Sequence, residues 1–290
     1  MLLLFCKRFI LILGMLSILL LTGHAVSDEL ANVIDLVGIP PPYSFNRYCV
    51  LALGHMWVVG GRGQVTHNCA DGTRIEQRLT GADLMGVHFV SSNVGWVVGA
   101  EGNIWHTADA GANWTKQRSG VRDTLEAVAC SDERRCWVVG HGGVILRTSD
   151  GGERWETLKT GLSEDLYFVD FLNTQDGWAV GENGVVAHTA NGGQTWEAQR
   201  IEMVLFPKGK FATSADLVAV KFTSEQFGCV AGTAGIACTT DGGKSWLSKL
   251  KNRVFIGIVS HGNQEAWAVG RDGPNYCTKD GGLNWSIWRR

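Results

Sequence analysis

The chain has 290 residues, of which 45% are hydrophobic and 19% are charged. This composition supplies enough apolar side chains for a full core, so the sequence does not have the character of a disordered protein. The formal net charge of -2 and the pI of about 6.4 argue against nucleic-acid binding, which needs a strongly basic surface. No nucleic-acid partner is therefore expected.

The first 25 residues have the pattern of a cleavable export signal. Lys7 and Arg8 precede an apolar run over residues 9–21, and small residues follow as far as Ala25. The run is shorter than the roughly 20 residues that a membrane-spanning helix needs. We therefore expect residues 1–25 to be a signal peptide, with an uncleaved membrane anchor as the alternative. Export to the periplasm follows from this expectation, with at most a peripheral association with the membrane.

The rest of the chain contains six copies of a unit of about 40 residues. A Gly-Trp step or its equivalent aligns the copies at Trp57, Trp96, Trp137, Trp178, Cys229 and Trp267. A second column follows at Trp114, Trp155, Trp196, Trp246 and Trp285. Ten of the twelve tryptophans fall in these two columns, so the repetition governs the fold of the chain.

Within each unit the apolar residues follow the pattern of short strands. The segments Leu84–Phe89 and Leu217–Phe222 precede the Gly-Trp step, and turn signals then separate three further strands, the last beginning at the second tryptophan. Tandem four-stranded units are typical of propeller blades. The predicted fold is all-β, a monomeric six-bladed β-propeller of four-stranded antiparallel blades over residues 45–290. A seven-bladed form in which the N-terminal segment 26–44 contributes remains open.

A recurring turn precedes the second tryptophan, with the composition Thr-x-Asp-Gly-Gly-x-x-Trp. Its hydroxyl and carboxylate can accept hydrogen bonds from the turn's own amides, and glycine adopts a positive φ without steric cost. The tryptophan is expected to wedge its apolar face between sheets. The predicted structural residues are Asp109, Asp150, Asn191, Asp241 and Asp280, with Trp114, Trp155, Trp196, Trp246 and Trp285. The first unit has lost the pattern.

These turns resemble Asp boxes, the repeat first associated with bacterial neuraminidases. Together with the Gly-Trp-Ala-Val-Gly step and the Leu-x-x-Val-x-Phe strand, they resemble the photosystem II stability and assembly factor-like propellers over residues 45–290. The resemblance implies a non-enzymatic protein that holds a subunit of a membrane complex during assembly. In photosynthetic organisms its members lie in the thylakoid lumen, so a compartment of that kind is the alternative to the periplasm.

Three functions agree with these features. The first is an exported, non-catalytic propeller whose partner is a protein, namely a membrane-complex subunit. The second is a sialidase-like glycan-binding protein or glycoside hydrolase, although Gly38–Pro42 lacks the Arg of the expected Arg-Ile-Pro segment. The third is a permanent accessory subunit of an envelope complex. The first is preferred, with no enzymatic activity and no cofactor.

One column of the innermost strand is expected to line the central channel. It consists of Ala52, His88, Ala129, Asp170, Lys221 and Val259. The candidate channel site is therefore His88, Asp170 and Lys221, with mutually satisfied channel lining as the alternative. No metal site is expected, because His106 and His188 share their column with an arginine and a cysteine.

Seven cysteines follow the signal segment, and an exported protein can keep disulfides. Two pairs each flank one strand connection, and these predicted disulfides are Cys130 with Cys136 and Cys229 with Cys238. Three others lie in the first and last units, which ring closure makes neighbours, and which pair of them clasps the ring is open: Cys49, Cys69 and Cys277. Buried free thiols are the alternative.

The connection between the fourth and fifth units is longer than its counterparts. Trp196 and Leu217 are 21 residues apart, whereas Trp114 and Leu125 are 11 apart. Long loops on a propeller commonly carry recognition. The candidate partner-binding residues are Leu205, Phe206, Lys208, Lys210 and Phe211. The alternative is a loop that folds over the rim.

Overall fold

The computed structural model describes residues 45–51, 55–69, 71–201, 215–261, 264–271 and 273–289. The expected signal segment, the segment 26–44 and the five candidate partner-binding residues of the long connection lie outside this range. No helix in the described part of the chain is long and apolar enough to cross a lipid bilayer.

In the described part of the chain, twenty-four strands form six four-stranded sheets, and in each sheet the strands pair antiparallel in chain order. The first blade contains β1 (Phe45–Leu51), β2 (His55–Gly60), β3 (Gln64–Asn68) and β4 (Arg74–Arg78). The second contains β5 (Leu84–Phe89), β6 (Gly95–Gly99), β7 (Asn103–Thr107) and β8 (Thr115–Arg118). The third contains β9 (Leu125–Cys130), β10 (Cys136–Gly140), β11 (Ile145–Thr148) and β12 (Glu156–Thr157). The fourth blade contains β13 (Leu166–Phe171), β14 (Gly177–Gly181), β15 (Val185–Thr189) and β16 (Glu197–Arg200). The fifth contains β17 (Leu217–Phe222), β18 (Gly228–Gly232), β19 (Gly235–Thr239) and β20 (Leu247–Lys251). The sixth contains β21 (Phe255–His261), β22 (Glu265–Gly270), β23 (Tyr276–Thr278) and β24 (Ser286–Ile287).

The predicted all-β architecture of six four-stranded blades is confirmed. Inner strands are apolar on both faces because each sheet packs between neighbours, and β6, β10, β14 and β18 are buried along their whole length. Short 3₁₀ turns join the second and third strands of the first four blades at Gly61–Gly63, Ala100–Gly102, His141–Gly143 and Glu182–Gly184.

The innermost strands of successive blades pack side by side. Within the described residues these contacts run from β1 to β5 and onward through β9, β13 and β17 to β21. No comparable contact joins β21 back to β1 among those residues. A contribution of residues 26–44 to a seventh blade stays a prediction.

Two details of the sequence alignment were wrong. The fourth strands begin one residue after the tryptophan of the turn, as at Thr115 and Glu197, so the tryptophan belongs to the turn. In the first blade the residue paired with Trp57 is Cys49, whereas Ala52 lies outside the described residues. The same eight-residue spacing separates His88 from its partner Trp96, so Cys49 takes the backbone position that Ala52 was expected to hold.

Candidate functional site

The five turns that resemble Asp boxes share one hydrogen-bond pattern. In the fifth blade Thr239 Oγ1 donates to Asp241 Oδ1 over 2.8 Å and accepts from the amide of Gly243 over 2.9 Å. The amide of Ser245 donates to the same carboxylate oxygen over 2.9 Å. Equivalent bonds start from Thr107, Thr148, Thr189 and Thr278. The side chains of these turns are thus occupied in bonds to their own backbone.

Aromatic side chains join the blades next to these turns. The inner tryptophan of one blade stacks on a phenylalanine of the next, and the turn tryptophan of that next blade meets the same phenyl ring edge-on at about 6.0 Å. The three clusters are Trp57, Phe89, Trp114; Trp137, Phe171, Trp196; and Trp178, Phe222, Trp246. The turn tryptophans therefore do wedge between sheets in these interfaces.

The glycine of the Gly-Trp step makes room for that phenylalanine. A Cβ atom on Gly95 would lie 2.5 Å from the ring of Phe89, its partner across the strand pair. In the third blade both positions are cysteine, and the sulfur atoms of Cys130 and Cys136 lie 2.05 Å apart. This disulfide occupies the space that the phenyl ring fills in other blades.

The second cysteine pair replaces an inner tryptophan. Cys229 stands in the tryptophan column and its sulfur lies at bonding distance, 2.12 Å, from that of Cys238 on the next strand. Both pairings expected from the sequence are thus formed. Cys69 and Cys277 are half-buried and take part in no disulfide within the described residues, so neither supplies the expected ring clasp there. The side chain of Cys49 lies outside the described residues.

The candidate channel site is partly assembled. Lys221 Nζ donates to Asp170 Oδ1 over 3.1 Å, and the two side chains keep 35% and 17% of their exposure, so the pair is enclosed but wet. Burial raises the pKa of Asp170, and the charge of Lys221 opposes this effect. Burial, and then the nearby charge of Lys221, lowers the pKa of His88 to about 4. The three residues therefore share one electrostatic environment, in which Asp170 and Lys221 form the direct contact.

Carboxylates gather beside the long connection. Burial and the charges of Asp216, Asp165, Glu182 and Glu126 raise the pKa of Tyr167 to about 12. Asp216 directly precedes β17, so this acidic group lies at the end of the long connection. Ile201 and Ala215, the described residues that flank the undescribed part, are both buried.

Sequence reasoning missed this acidic group because its members come from three different blades and are spaced up to 90 residues apart. It also missed a cluster in the first blade, where His55, His67 and Cys69 lie together. No turn motif marks that cluster, because the first unit lacks the repeated pattern. Only the register of β2 and β3 brings the three residues together.

The six blades and their self-bonded turns define a tandem-repeat β-propeller. Its repeats match the family described as photosynthesis system II assembly factor YCF48, over residues 77–162 and 107–209. This match confirms the resemblance of the repeats to the photosystem II assembly factor-like propellers that was seen in the sequence. A comparison with curated protein sequences gave no significant match.

Solved structures share the fold. YCF48 bound to a D1 peptide is 19% identical with a TM-score of 0.66, covering 86% of this chain and 82% of that chain. YCF48 from Cyanidioschyzon merolae is 16% identical with a TM-score of 0.50, covering 83% and 97%. The GH74 enzyme of Niastella koreensis is 16% identical with a TM-score of 0.59, covering 86% and 38%. At these identities the similarity shows the fold alone.

Proposed function

We propose that the protein is a non-catalytic, exported propeller that binds a subunit of a membrane complex and supports its assembly or stability. The observation that carries this proposal is the match of its repeats to the YCF48 assembly factor family over residues 77–209. That a YCF48 propeller of similar fold has been solved with a D1 peptide supports a protein segment as the ligand.

The fold suits presentation of a fixed surface. Stacked aromatic rings hold neighbouring blades together, and the turns satisfy their own polar groups, so the frame needs no partner to be rigid. Recognition then falls to the loops. A rigid frame lowers the entropy lost on binding, because only the loop and the partner segment become ordered.

We place the docking surface at the long connection between the fourth and fifth blades. Its apolar residues Leu205, Phe206 and Phe211 supply area to bury, and Lys208 and Lys210 supply charge. The buried residues Ile201 and Ala215 tether the connection to the frame on both sides. The neighbouring carboxylates around Tyr167 favour a partner segment that carries basic residues.

Absence of catalysis is part of the proposal. Glycoside hydrolysis in its common form needs two carboxyl groups flanking the bond that breaks. The carboxylate of the candidate channel site, Asp170, is held by Lys221, which favours a structural ion pair. The similarity to a GH74 enzyme concerns the fold, which many unrelated functions share.

Affinity capture tests the proposal. The protein without residues 1–25 is immobilised and exposed to detergent-solubilised membranes of its source, and retained integral membrane proteins are identified and quantified. We expect one membrane-complex subunit to be retained, and retention to fall at least tenfold when Leu205, Phe206 and Phe211 are all changed to serine. A matched control changes Leu247, which is 64% exposed on the outermost strand of the fifth blade, and Leu283, which is 44% exposed in the sixth, to serine and should retain the subunit fully.

Four outcomes count against the proposal. Retention of no membrane subunit, or equal retention by the loop variant, contradicts it. Turnover of a fluorogenic sialoside that is lost in Asp170→Asn favours the glycosidase alternative. Copurification of the native protein with a complex in fixed stoichiometry favours a permanent subunit.

A further inference from the structure

The first blade brings three metal-ligating side chains to one point. His55 Nδ1 lies 2.9 Å from His67 Nε2, and Cys69 Sγ lies 3.7 Å from Nδ1 and 3.9 Å from Nε2 of His67. One ligand atom from each of the three residues lies within 4.8 Å of the others. We propose that His55, His67 and Cys69 bind a zinc ion.

The strand register produces this cluster. Trp57 on β2 pairs with His67 on β3, and alternate residues of a strand point to the same face. His55, two residues before Trp57, and Cys69, two residues after His67, therefore share that face.

One wall of the site is dry and the other is open. The indole of Trp57 stacks on the ring of His67 with centroids 3.8 Å apart, and His67 is 7% exposed. His55 and Cys69 are half-buried, which leaves a path for an ion from solvent. The stacked indole fixes the orientation of the His67 ring, so one ligand is already held in place.

Two imidazole nitrogens and one thiol are a donor set for zinc. Calcium and magnesium take oxygen ligands, whereas imidazole and thiolate suit zinc and related transition ions. Zn–N bonds of about 2.0 Å and Zn–S bonds of about 2.3 Å place tetrahedral ligand atoms about 3.3 to 3.6 Å apart. Two of the observed separations, 2.9 and 3.9 Å, need shifts of well under about 1 Å to reach that geometry, and the ligand atoms of His55 and Cys69 lie within 4.8 Å of each other. Three protein ligands leave the fourth position for water.

The electrostatic surroundings agree with a cation. The Asp71 carboxylate lies two residues after Cys69 in the same turn, so a negative charge stands near the proposed ligands. A bound ion would displace the thiol proton and offset the negative charge of Asp71.

A metal would also explain why the first blade manages without the repeated turn. The turn after β3 lacks the threonine and tryptophan that close the equivalent turns elsewhere. In this turn the amide of Cys69 donates a hydrogen bond to the carbonyl of Thr73, and the amide of Gly72 donates one to the carbonyl of Cys69. The amide of Thr73 donates to Asp71 Oδ1. Coordination through Cys69 would fix the start of this turn to β2.

Titration of the metal-free full chain with Co²⁺ and then Zn²⁺ tests the proposal. We expect one Co²⁺ per chain with a near-ultraviolet thiolate-to-cobalt band, and displacement of the cobalt by Zn²⁺. Cys69→Ser should abolish the band, and His55→Gln should weaken binding at least tenfold. The control Cys277→Ser should leave the band and the affinity unchanged. Cys277 is also a free cysteine among the described residues, and it pairs with Trp267 in the last blade as His67 pairs with Trp57 in the first.

Thermal unfolding gives an independent readout that does not depend on a spectrum. Saturating Zn²⁺ should raise the melting temperature of the unaltered chain and of Cys277→Ser, because the ion binds the folded state. It should leave that of Cys69→Ser unchanged. The proposal is overturned if cobalt binds without a thiolate band, or if Cys69→Ser binds as many ions as tightly as the unaltered chain.

Discussion

The indole of Trp178 lies flat on the phenyl ring of Phe222, with centroids 3.5 Å apart and planes 8° from parallel. Trp178 belongs to the fourth blade and Phe222 to the fifth, and both are almost fully buried. The contact therefore couples two blades that are otherwise separate sheets. The indole of Trp246 packs edge-on against the phenyl ring of Phe222, with ring centroids 6.0 Å apart.

Removal of this stack should be costly. Trp178→Ala is expected to lower the free energy of unfolding by about 3 to 5 kcal/mol, because it leaves a cavity between two sheets. Urea denaturation followed by circular dichroism measures the loss. Trp246→Ala, at a half-buried site of the same cluster, is the matched control and should cost less. Equal losses for the two variants would contradict the role given to the stack.

Acid should weaken the turns that resemble Asp boxes. Bonds from the Ser245 side chain and backbone, and from Thr239, lower the pKa of Asp241 from 3.8 to about 2. A carboxyl with a lowered folded pKa stabilises the protein fully above pH 3.8, and this contribution is lost as the pH falls towards 2. As the pH falls from 3.8 towards 2, the melting temperature of Asp241→Asn should therefore fall less steeply than that of the unaltered protein. Asn191 already fills the same position in the fourth blade, so the amide fits the turn. Identical pH profiles for the two proteins would refute this account.

The two disulfides should stabilise their blades. Replacing Cys130 and Cys136 together by alanine is expected to cost about 2 kcal/mol from the loop entropy of the unfolded chain, and more if the space of the missing phenyl ring is left unfilled. The pair Cys229 and Cys238 should behave alike. Cys277→Ala, which breaks no disulfide within the described residues, serves as the control. Mass spectrometry of unreduced digests should find both linked peptides, and their absence from the oxidised protein would disprove the pairings.

A double-mutant cycle should detect the interaction between Asp170 and Lys221 in the channel. Lys221→Met leaves the enclosed Asp170 without its counter-charge and is expected to lower the free energy of unfolding by about 1 to 3 kcal/mol, discounted for the partial exposure of the pair. Adding Asp170→Asn should recover part of that loss. Additive effects of the two changes, measured by urea denaturation, would mean that the residues do not interact.

The fold was predictable from sequence because its signals are local. The limits of β5 and β17 coincide with the predicted segments Leu84–Phe89 and Leu217–Phe222. Strand periods and turn residues lie within one unit and repeat, so each copy reinforces the others. The cysteine pairs were likewise visible because each spans a single hairpin.

Contacts between units were harder to predict. The Gly-Trp step needs a glycine because the phenyl ring of its cross-strand partner fills the adjacent space. This link between the two positions becomes apparent in the third blade, where Cys130 replaces the phenylalanine and Cys136 the glycine. The carboxylates around Tyr167 come from segments far apart in the chain. In the first blade the missing turn motif shifted the alignment from Cys49 to Ala52, and with it the pattern that relates His55, His67 and Cys69 was lost.

Hydrogen exchange of the propeller, alone and with its captured partner, tests most directly whether the protein works by contact through the long connection. The account predicts slower exchange in the peptides that cover residues 201–216 and in the neighbouring Tyr167 segment. The turn at Asp109, which lies in another blade, should exchange unchanged. Slower exchange confined to the Asp109 turn or to the channel residues His88 and Lys221, with no change over residues 201–216, would contradict the account.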